Sequence, residues 1–144
     1  MNSEFNIAVH CLTLLSLKAE HMANSEEIAK SVCTHPARIR KVLGILRKHG
    51  YVTTKEGVGG GYLLNTETAE VTLGDLYRLL AQGSLKPSWC SGGEELPCEV
   101  ASNMKGIMSQ IYNGGEQALE RYLDGITLAD VKQQIEDAGT ENPE

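Results

Sequence analysis

The segment KEGVGGGY, residues 55–62, has four glycines in five positions and constrains the fold more than any other part of the chain. Runs rich in β-forming residues flank it, YVTTK on one side and YLLN on the other. A permissive tip between two such runs predicts a β-hairpin. Nucleotide-binding loops are excluded, because the segment lacks both the G-x-G-x-x-G spacing and the Gly-Lys-Ser/Thr end of a Walker loop. At such a tip, glycine lets backbone amides approach a phosphate closely.

Three helices are predicted before the hairpin. FNIAVHCLTLLSL, residues 5–17, carries a wide apolar stripe at helical spacing and predicts a mostly buried helix. NSEEIAKSV, residues 24–32, predicts a short second helix. The third is expected to begin at Pro36 and to stop at Gly50. Its apolar residues recur at i, i+3, i+4 and i+7 and form one buried face: Ile39, Val42, Leu43 and Leu46.

Charge and connectivity indicate what the third helix does. It follows the second after only a few residues, SVCTH, which predicts a helix-turn-helix. Seven basic residues and no acidic residue lie between Lys30 and Lys55, as a phosphate-binding surface requires. Each feature alone fits an ordinary αα-hairpin or a solvated helix face. With the hairpin behind them, the features favour a winged helix-turn-helix that binds double-stranded DNA.

The net charge of −6 is unevenly distributed. Residues 1–66 carry eight basic and five acidic side chains, whereas residues 67–144 carry five basic and fourteen acidic ones. No apolar run approaches the ~18 residues of a membrane span, and the start lacks the pattern of a secretory signal. We therefore expect a cytoplasmic protein without membrane association, whose four cysteines are reduced at rest.

The acidic half is expected to contain two capped helices and one long helix. TLGD at residues 72–75 and TLAD at residues 127–130 each place an aspartate three residues after a capping threonine. Between them, a loop rich in glycine, proline and serine is followed by a long helix from Cys98 to Leu123. The apolar stripe of that helix predicts a dimer interface, with packing inside the monomer as the alternative. The predicted interface residues are Met104, Ile107, Met108, Ile111 and Leu119.

These elements divide the chain into four parts. Residues 1–82 form the winged helix-turn-helix domain, and residues 83–97 form the cysteine-bearing loop. Residues 98–137 contain the dimerisation helix and a C-terminal helix, and residues 138–144 are expected to be a disordered polar tail.

The sequence resembles the Rrf-type winged-helix transcriptional regulators over nearly its whole length. The resemblance rests on SEEIAKSV through GVGGGYLL, followed by TLGDLYRLL, a cysteine-bearing loop, a long helix and ITLADV. The Pro-Cys-x-Val element at residues 97–100 is similar to the YwnA-like subgroup. The resemblance implies a mainly α fold with a small β-hairpin, in which a winged helix-turn-helix domain carries a long dimerisation helix. It also implies a homodimeric DNA-binding repressor. Catalysis is not expected, because no histidine lies in a motif with a nucleophile or metal ligands.

The resemblance places DNA contacts at the start of the third helix and in the hairpin. Arg38 and Lys41 are best equipped to reach guanine edges or phosphates. In the hairpin, Glu56 stands where many relatives have a basic residue, so Lys55 and glycine amides are expected to carry that contact. The full set is Thr34, His35, Ala37, Arg38, Lys41, Lys55, Gly57, Gly59 and Gly60.

The loop cysteines leave three interpretations open. Iron–sulfur members of the family use three loop cysteines and a further ligand, whereas this loop offers only Cys90 and Cys98 and no histidine, so no metal or cofactor is expected. The pair could instead close a disulfide switch, since a helix start favours a thiolate at Cys98. In the third interpretation the cysteines are inert and a small molecule is the effector. Alternatives to the whole assignment are an iron–sulfur or thiol redox protein without a DNA role and an iron–sulfur-sensing regulator.

Overall fold

The computed structural model describes residues 3–141 and confirms the mainly α fold with a small sheet. Within these residues it contains six α-helices and three β-strands. The helices are α1 (Ser3–Leu17), α2 (Ser25–Val32), α3 (Pro36–Lys48), α4 (Leu73–Leu80), α5 (Glu99–Asp124) and α6 (Leu128–Glu141). The strands are β1 (Met22–Ala23), β2 (Val52–Lys55) and β3 (Gly61–Leu64).

The predicted hairpin is part of a three-stranded antiparallel sheet with strand order β1-β3-β2. In the hairpin, Val52 pairs with Leu64 and Lys55 pairs with Gly61, so the glycine-rich tip projects from the paired ends. Strand β1 adds Met22 opposite Leu63 on the other edge of β3. The sequence did not predict β1, because a two-residue strand is too short to show any alternation.

One hydrophobic core joins the helices, and α1 lies at its centre. Helix α1 packs against α2, α3, α4 and α6. The fully buried side chains include Leu12 of α1, Leu43 of α3 and Tyr77 of α4. Burying each apolar side chain of this size stabilises the fold by about 1.5–3 kcal/mol. The core does not stop at residue 82, because Leu123 and Leu128 are buried in the same cluster.

Both predicted capping motifs are present, and they lie side by side. The Thr72 hydroxyl accepts from the Asp75 amide at 3.0 Å, and the Thr127 hydroxyl accepts from the Asp130 amide at 3.1 Å. Each aspartate in turn accepts from the backbone amide of its threonine. An antiparallel bridge joins Thr72 to Thr127, so the starts of α4 and α6 are fixed together. This bridge anchors the C-terminal helix to the winged domain.

The end of the chain differs from the expected disordered tail. Helix α6 continues to Glu141, so that expectation is wrong for residues 138–141, while residues 142–144 lie outside the described residues. Side-chain hydrogen bonds within the helix support its polar last turns: Gln133 donates to Asp137, and the Thr140 hydroxyl donates to the Asp137 carbonyl. The polar composition of the segment predicted disorder and gave no sign that the helix continues to this point.

Helix α5 begins at Glu99, with Cys98 as its N-cap residue, and runs unbroken through Gly114 and Gly115. Its 26 residues correspond to a length of about 39 Å. It packs mainly against α4, and Leu123 is its only buried side chain. Helix α5 is therefore an arm with most of its surface uncovered. Within residues 3–141, no helix combines the length and apolar character needed to cross a membrane.

Candidate nucleic-acid interface

Helix α3 presents a basic face because its apolar face is anchored in the core. Ile39, Val42 and Leu46 are completely buried, whereas Arg38 and Lys41 are exposed. All seven basic residues from Lys30 to Lys55 are exposed, on α2, α3 and β2. The third helix of the sequence prediction is thus present with the expected orientation.

The start of α3 is capped by its own residues, and the His35 ring leaves one side-chain donor there. Pro36 occupies the first turn, and the Nδ1 atom of the His35 N-cap accepts from the Ala37 amide at 3.2 Å. Because Nδ1 is an acceptor in the neutral ring, Nε2 carries the proton and remains a donor. The helix dipole also favours negative charge at this end. Thr34 lies half-buried just before it, and Ala37 is exposed.

Both predicted DNA-contacting cations of α3 already have partners at the start of α1. The Lys41 Nζ atom lies 2.8 Å from the Glu4 Oε1 atom, and the Arg38 guanidinium donates to the Ser3 hydroxyl. The Lys41 side chain is 66% exposed, so this ion pair contributes about 0.2–1 kcal/mol. Sequence reasoning missed these contacts, because their members lie more than thirty residues apart. Ser3 and Glu4 therefore lie next to the basic side chains of α3 and contact two of them.

The hairpin tip depends on its glycines. Gly57 and Gly59 have φ values of +91° and +76°, and a Cβ atom on Gly60 would lie 2.1 Å from the Lys55 carbonyl oxygen. The Gly60 amide donates to the Gly57 carbonyl at 3.0 Å, which closes the tip into a tight turn. Lys55 is exposed beside the turn, so the structure groups the predicted hairpin residues on one projection. We refer to residues 52–64 as the wing.

The four cysteines are free thiols in two environments. Cys11 is completely buried in α1, and burial raises its pKa to about 12. Cys33, Cys90 and Cys98 are exposed. Cys33 lies at the C-cap of α2 in a left-handed conformation, in the turn that leads to α3. The structure forms no bond between Cys90 and Cys98.

The described residues do not fit an iron–sulfur cluster held by one chain. Within residues 3–141, no group of three or more histidine, cysteine, aspartate or glutamate side chains is arranged to hold a metal ion. A cluster needs four such ligands, and the loop supplies only two thiols.

The predicted dimer residues occupy three environments on α5. Ile107 and Ile111 are 51% and 58% exposed. Met104 and Met108 are half-buried and line a cavity with residues of the cysteine-bearing loop. Leu119 is half-buried because it packs on the core of its own chain. Of the predicted residues, Ile107 and Ile111 are therefore the ones left exposed, and Val100 and Tyr122 of α5 are exposed as well.

Polar contacts around Arg78 and Tyr77 join the arm to the winged domain. Arg78 of α4 binds Asp124 at 2.5 Å and Glu120 at 3.3 Å, and these carboxylates raise the pKa of Arg78. The Tyr77 hydroxyl donates to Glu116 at 3.1 Å, and Glu116 also accepts from the Gly83 amide. Glu116 therefore holds the first residue of the loop against a core tyrosine.

The comparisons with known proteins agree with this architecture. Residues 1–134 match the family described as "Rrf2: Iron-dependent Transcriptional regulator". The chain belongs to the Rrf2 family. YwnA of Bacillus subtilis, named as an HTH-type transcriptional regulator, is 28% identical over 134 residues, which cover 91% of this chain and 96% of YwnA.

Solved structures extend the agreement to the fold. The crystal structure of a transcriptional regulator from Lactobacillus plantarum has a TM-score of 0.83 and 28% identity, and the match covers 97% of this chain and 94% of that one. The structure of IscR from T. potens has a TM-score of 0.68 at 24% identity over 96% of this chain and 89% of that one, which supports the fold alone. The Rrf2 protein described here is thus a transcriptional regulator with a winged-helix fold, and its relatives are not enzymes.

Proposed function

We propose that this Rrf2 protein is a homodimeric repressor that binds a double-stranded DNA operator through α3 and the wing. One observation carries the proposal: seven exposed basic residues, with no acidic residue between them in sequence, lie on two helices and a hairpin that pack on the core. A surface of this kind attracts the phosphate backbone, and a rigid support lets individual side chains select bases. A dimer seated on its operator would obstruct transcription from an overlapping promoter.

Helix α3 would enter the major groove with its N-terminal end leading. Arg38 and Lys41 would then face guanine edges or phosphates, and the His35 Nε2 donor would reach the backbone. To do so, Arg38 and Lys41 must exchange Ser3 and Glu4 for DNA. Gly57 and Gly59 would bring wing amides to a neighbouring phosphate, while Gly60 closes the turn and Lys55 lies beside it.

Dimerisation through α5 is supported by what the monomer leaves uncovered. Ile107 and Ile111 lie one helical turn apart on an arm of about 39 Å that packs mainly on α4. A second copy of α5 is the partner that would cover this stripe symmetrically. Two copies would also present two α3 helices, as recognition of a palindromic operator requires.

Operator binding is best tested by footprinting on the DNA upstream of the gene, followed by titrations at several salt concentrations. Arg38→Ala should weaken specific binding by about 1–3 kcal/mol, and Lys41→Ala should lower the salt slope by about one. The control is Arg121→Ala, which removes an exposed arginine of the acidic half. Unchanged affinity in the Arg38→Ala/Lys41→Ala double variant would contradict the assignment of α3.

The loop cysteines support a second, narrower proposal, redox sensing. Cys90 and Cys98 are both exposed and free, whereas the buried Cys11 stays protonated. Mild peroxide should join Cys90 to Cys98 within one subunit and change the operator affinity, and Cys90→Ser should abolish that change while leaving reduced-state binding intact. Cys11→Ser tests the buried thiol in parallel. If peroxide leaves the operator affinity unchanged, the disulfide switch is excluded.

A further inference from the structure

The structure assigns a binding site for small aromatic anions between the cysteine-bearing loop and α5. A cavity of about 170 Å³ lies there, walled by Trp89, Tyr112, Met104 and Met108, with Lys86 and Lys105 also in its lining. We call this cavity the loop pocket. Nothing in the proposed DNA contacts uses it.

The walls of the loop pocket select a flat apolar group. Trp89 is the one tryptophan of the sequence. Its side chain is 75% exposed, whereas large apolar side chains are usually buried. An aromatic ring placed between Trp89 and Tyr112 would bury apolar surface on both and could adopt an offset-stacked or edge-to-face arrangement. The two methionines adapt to irregular shapes and make favourable contacts with rings. Small-molecule sites commonly combine such apolar walls with a few polar groups.

The two lysines select a negative charge. Lys86 and Lys105 line the pocket in the half of the chain where acidic residues outnumber basic ones by fourteen to five. Even so, neither takes part in any ion pair formed within residues 3–141, whereas Arg78 binds three carboxylates. Lys105 also lines an adjacent cavity with Glu94 and Glu95, yet it lies beyond 4.0 Å from both carboxylates. A carboxylate attached to the bound ring would give both ammonium groups a partner.

The loop pocket is also connected to the winged domain. Glu116 fixes Gly83, the first residue of the loop, to Tyr77 of the core. At the other end, the Gly93 amide donates to the Ala101 carbonyl of α5 at 2.9 Å. A ligand under the loop would thus touch a segment whose start is attached to α4. A regulatory role for the pocket rests on the proposed function, whereas ligand binding does not.

Binding is tested on the full-length protein without DNA, using the fluorescence of Trp89. Phenylacetate, which joins one ring to one carboxylate, should change the emission saturably. Its neutral counterpart 2-phenylethanol should bind about five-fold more weakly, and phenethylammonium more weakly still. Lys105→Met keeps an apolar side chain of similar length, so it should reduce phenylacetate affinity about five-fold and leave 2-phenylethanol unchanged. Lys132→Met removes a lysine that does not line the pocket and should change neither.

Three outcomes would overturn the site: no saturable response to phenylacetate, equal affinity for the anion and the alcohol, or an unchanged phenylacetate affinity in Lys105→Met. Lys105→Arg, which keeps the charge, should bind phenylacetate like the unmodified protein, so a general loss of folding is distinguishable. Operator affinity is then measured with and without phenylacetate. A protein that fails to bind DNA would refute the proposed function and leave the fluorescence result standing, whereas DNA binding without a saturable fluorescence response would refute the pocket alone.

Discussion

Helices α3 and α5 differ in how much of their apolar surface is buried by the rest of the chain. On α3, every large apolar side chain of the inner face is buried, and exposed cations occupy the other side. On α5, Leu123 is the only buried side chain, and isoleucines are left exposed. A folded, anchored helix suits recognition of a rigid duplex, whereas an uncovered apolar arm lacks a partner. The difference supports the proposal that α3 contacts DNA and that a second copy of the chain covers the arm.

The largest effect is expected when the arm is made polar. Ile111→Asp would place an unpaired charge in the apolar stripe, at a cost on the order of several kcal/mol, so the dimer should dissociate. A monomer contacts one half-site only, and operator affinity should fall by about 100-fold or more. Analytical ultracentrifugation and operator titration measure the two effects.

The matched control is Asn113→Asp, which adds the same charge at an exposed position on the opposite face of α5. It should leave both the mass and the affinity unchanged. A monomeric unmodified protein, or an Ile111→Asp protein that remains dimeric, would contradict the assignment of the arm.

A smaller effect is expected when the wing of the basic half is deformed. Gly60→Ala places a methyl group against the Lys55 carbonyl, and relieving the overlap should cost about 1–3 kcal/mol. If wing amides contact phosphate, operator affinity should drop by about ten-fold while the dimer persists. Gly139→Ala is the control, because its added methyl group meets no atom within 4 Å outside the nearby backbone of its own helix. Full affinity in a folded Gly60→Ala protein would remove the wing from the interface.

The two halves also differ in how much the sequence could predict. In the basic half, apolar residues recur at helical spacing over residues 39–46, which predicted α3. Turn glycines between two β-forming runs predicted the hairpin of the wing. The Glu4 contact to Lys41 could not be predicted, because it depends on how α1 packs across α3. In the acidic half, capping chemistry fixed the helix starts, as at Thr72 and Thr127. The loop pocket was missed, since Trp89 and Tyr112 come together only when the loop folds back on α5.

The contact between the winged domain and the arm should have a measurable but modest strength. Tyr77→Phe keeps the buried ring and its edge-to-face contact with Phe5, at a centroid distance of 5.7 Å, but removes the hydrogen bond to Glu116. Since Glu116 still accepts from Gly83, the free energy of unfolding should fall by only about 1 kcal/mol. Urea denaturation measures the change. Tyr122→Phe is the control, because Tyr122 is 69% exposed. Equal stability of the two variants would show that the contact contributes nothing.

The smallest expected effect concerns the competition between Glu4 and DNA for Lys41. Glu4 lies 2.8 Å from Lys41, so DNA must displace this carboxylate before Lys41 can bind a phosphate. Glu4→Gln removes the competing charge, and operator affinity should rise about two- to five-fold, equivalent to a partly exposed ion pair of about 0.5–1 kcal/mol. The salt slope should stay the same, because Lys41 neutralises the same phosphate in both proteins. Titrations at several salt concentrations measure both quantities.

Glu67→Gln controls for net charge, because Glu67 is exposed and forms no ion pair within residues 3–141. A double-mutant cycle then assigns the mechanism: in a Lys41→Ala background, Glu4→Gln should lose most of its effect, since the competition acts through that lysine. If the effect persists, Glu4 acts through general repulsion of the phosphates. If Glu4→Gln weakens binding, the carboxylate orients Lys41 toward DNA, and the contact between α1 and α3 is then part of the recognition surface itself.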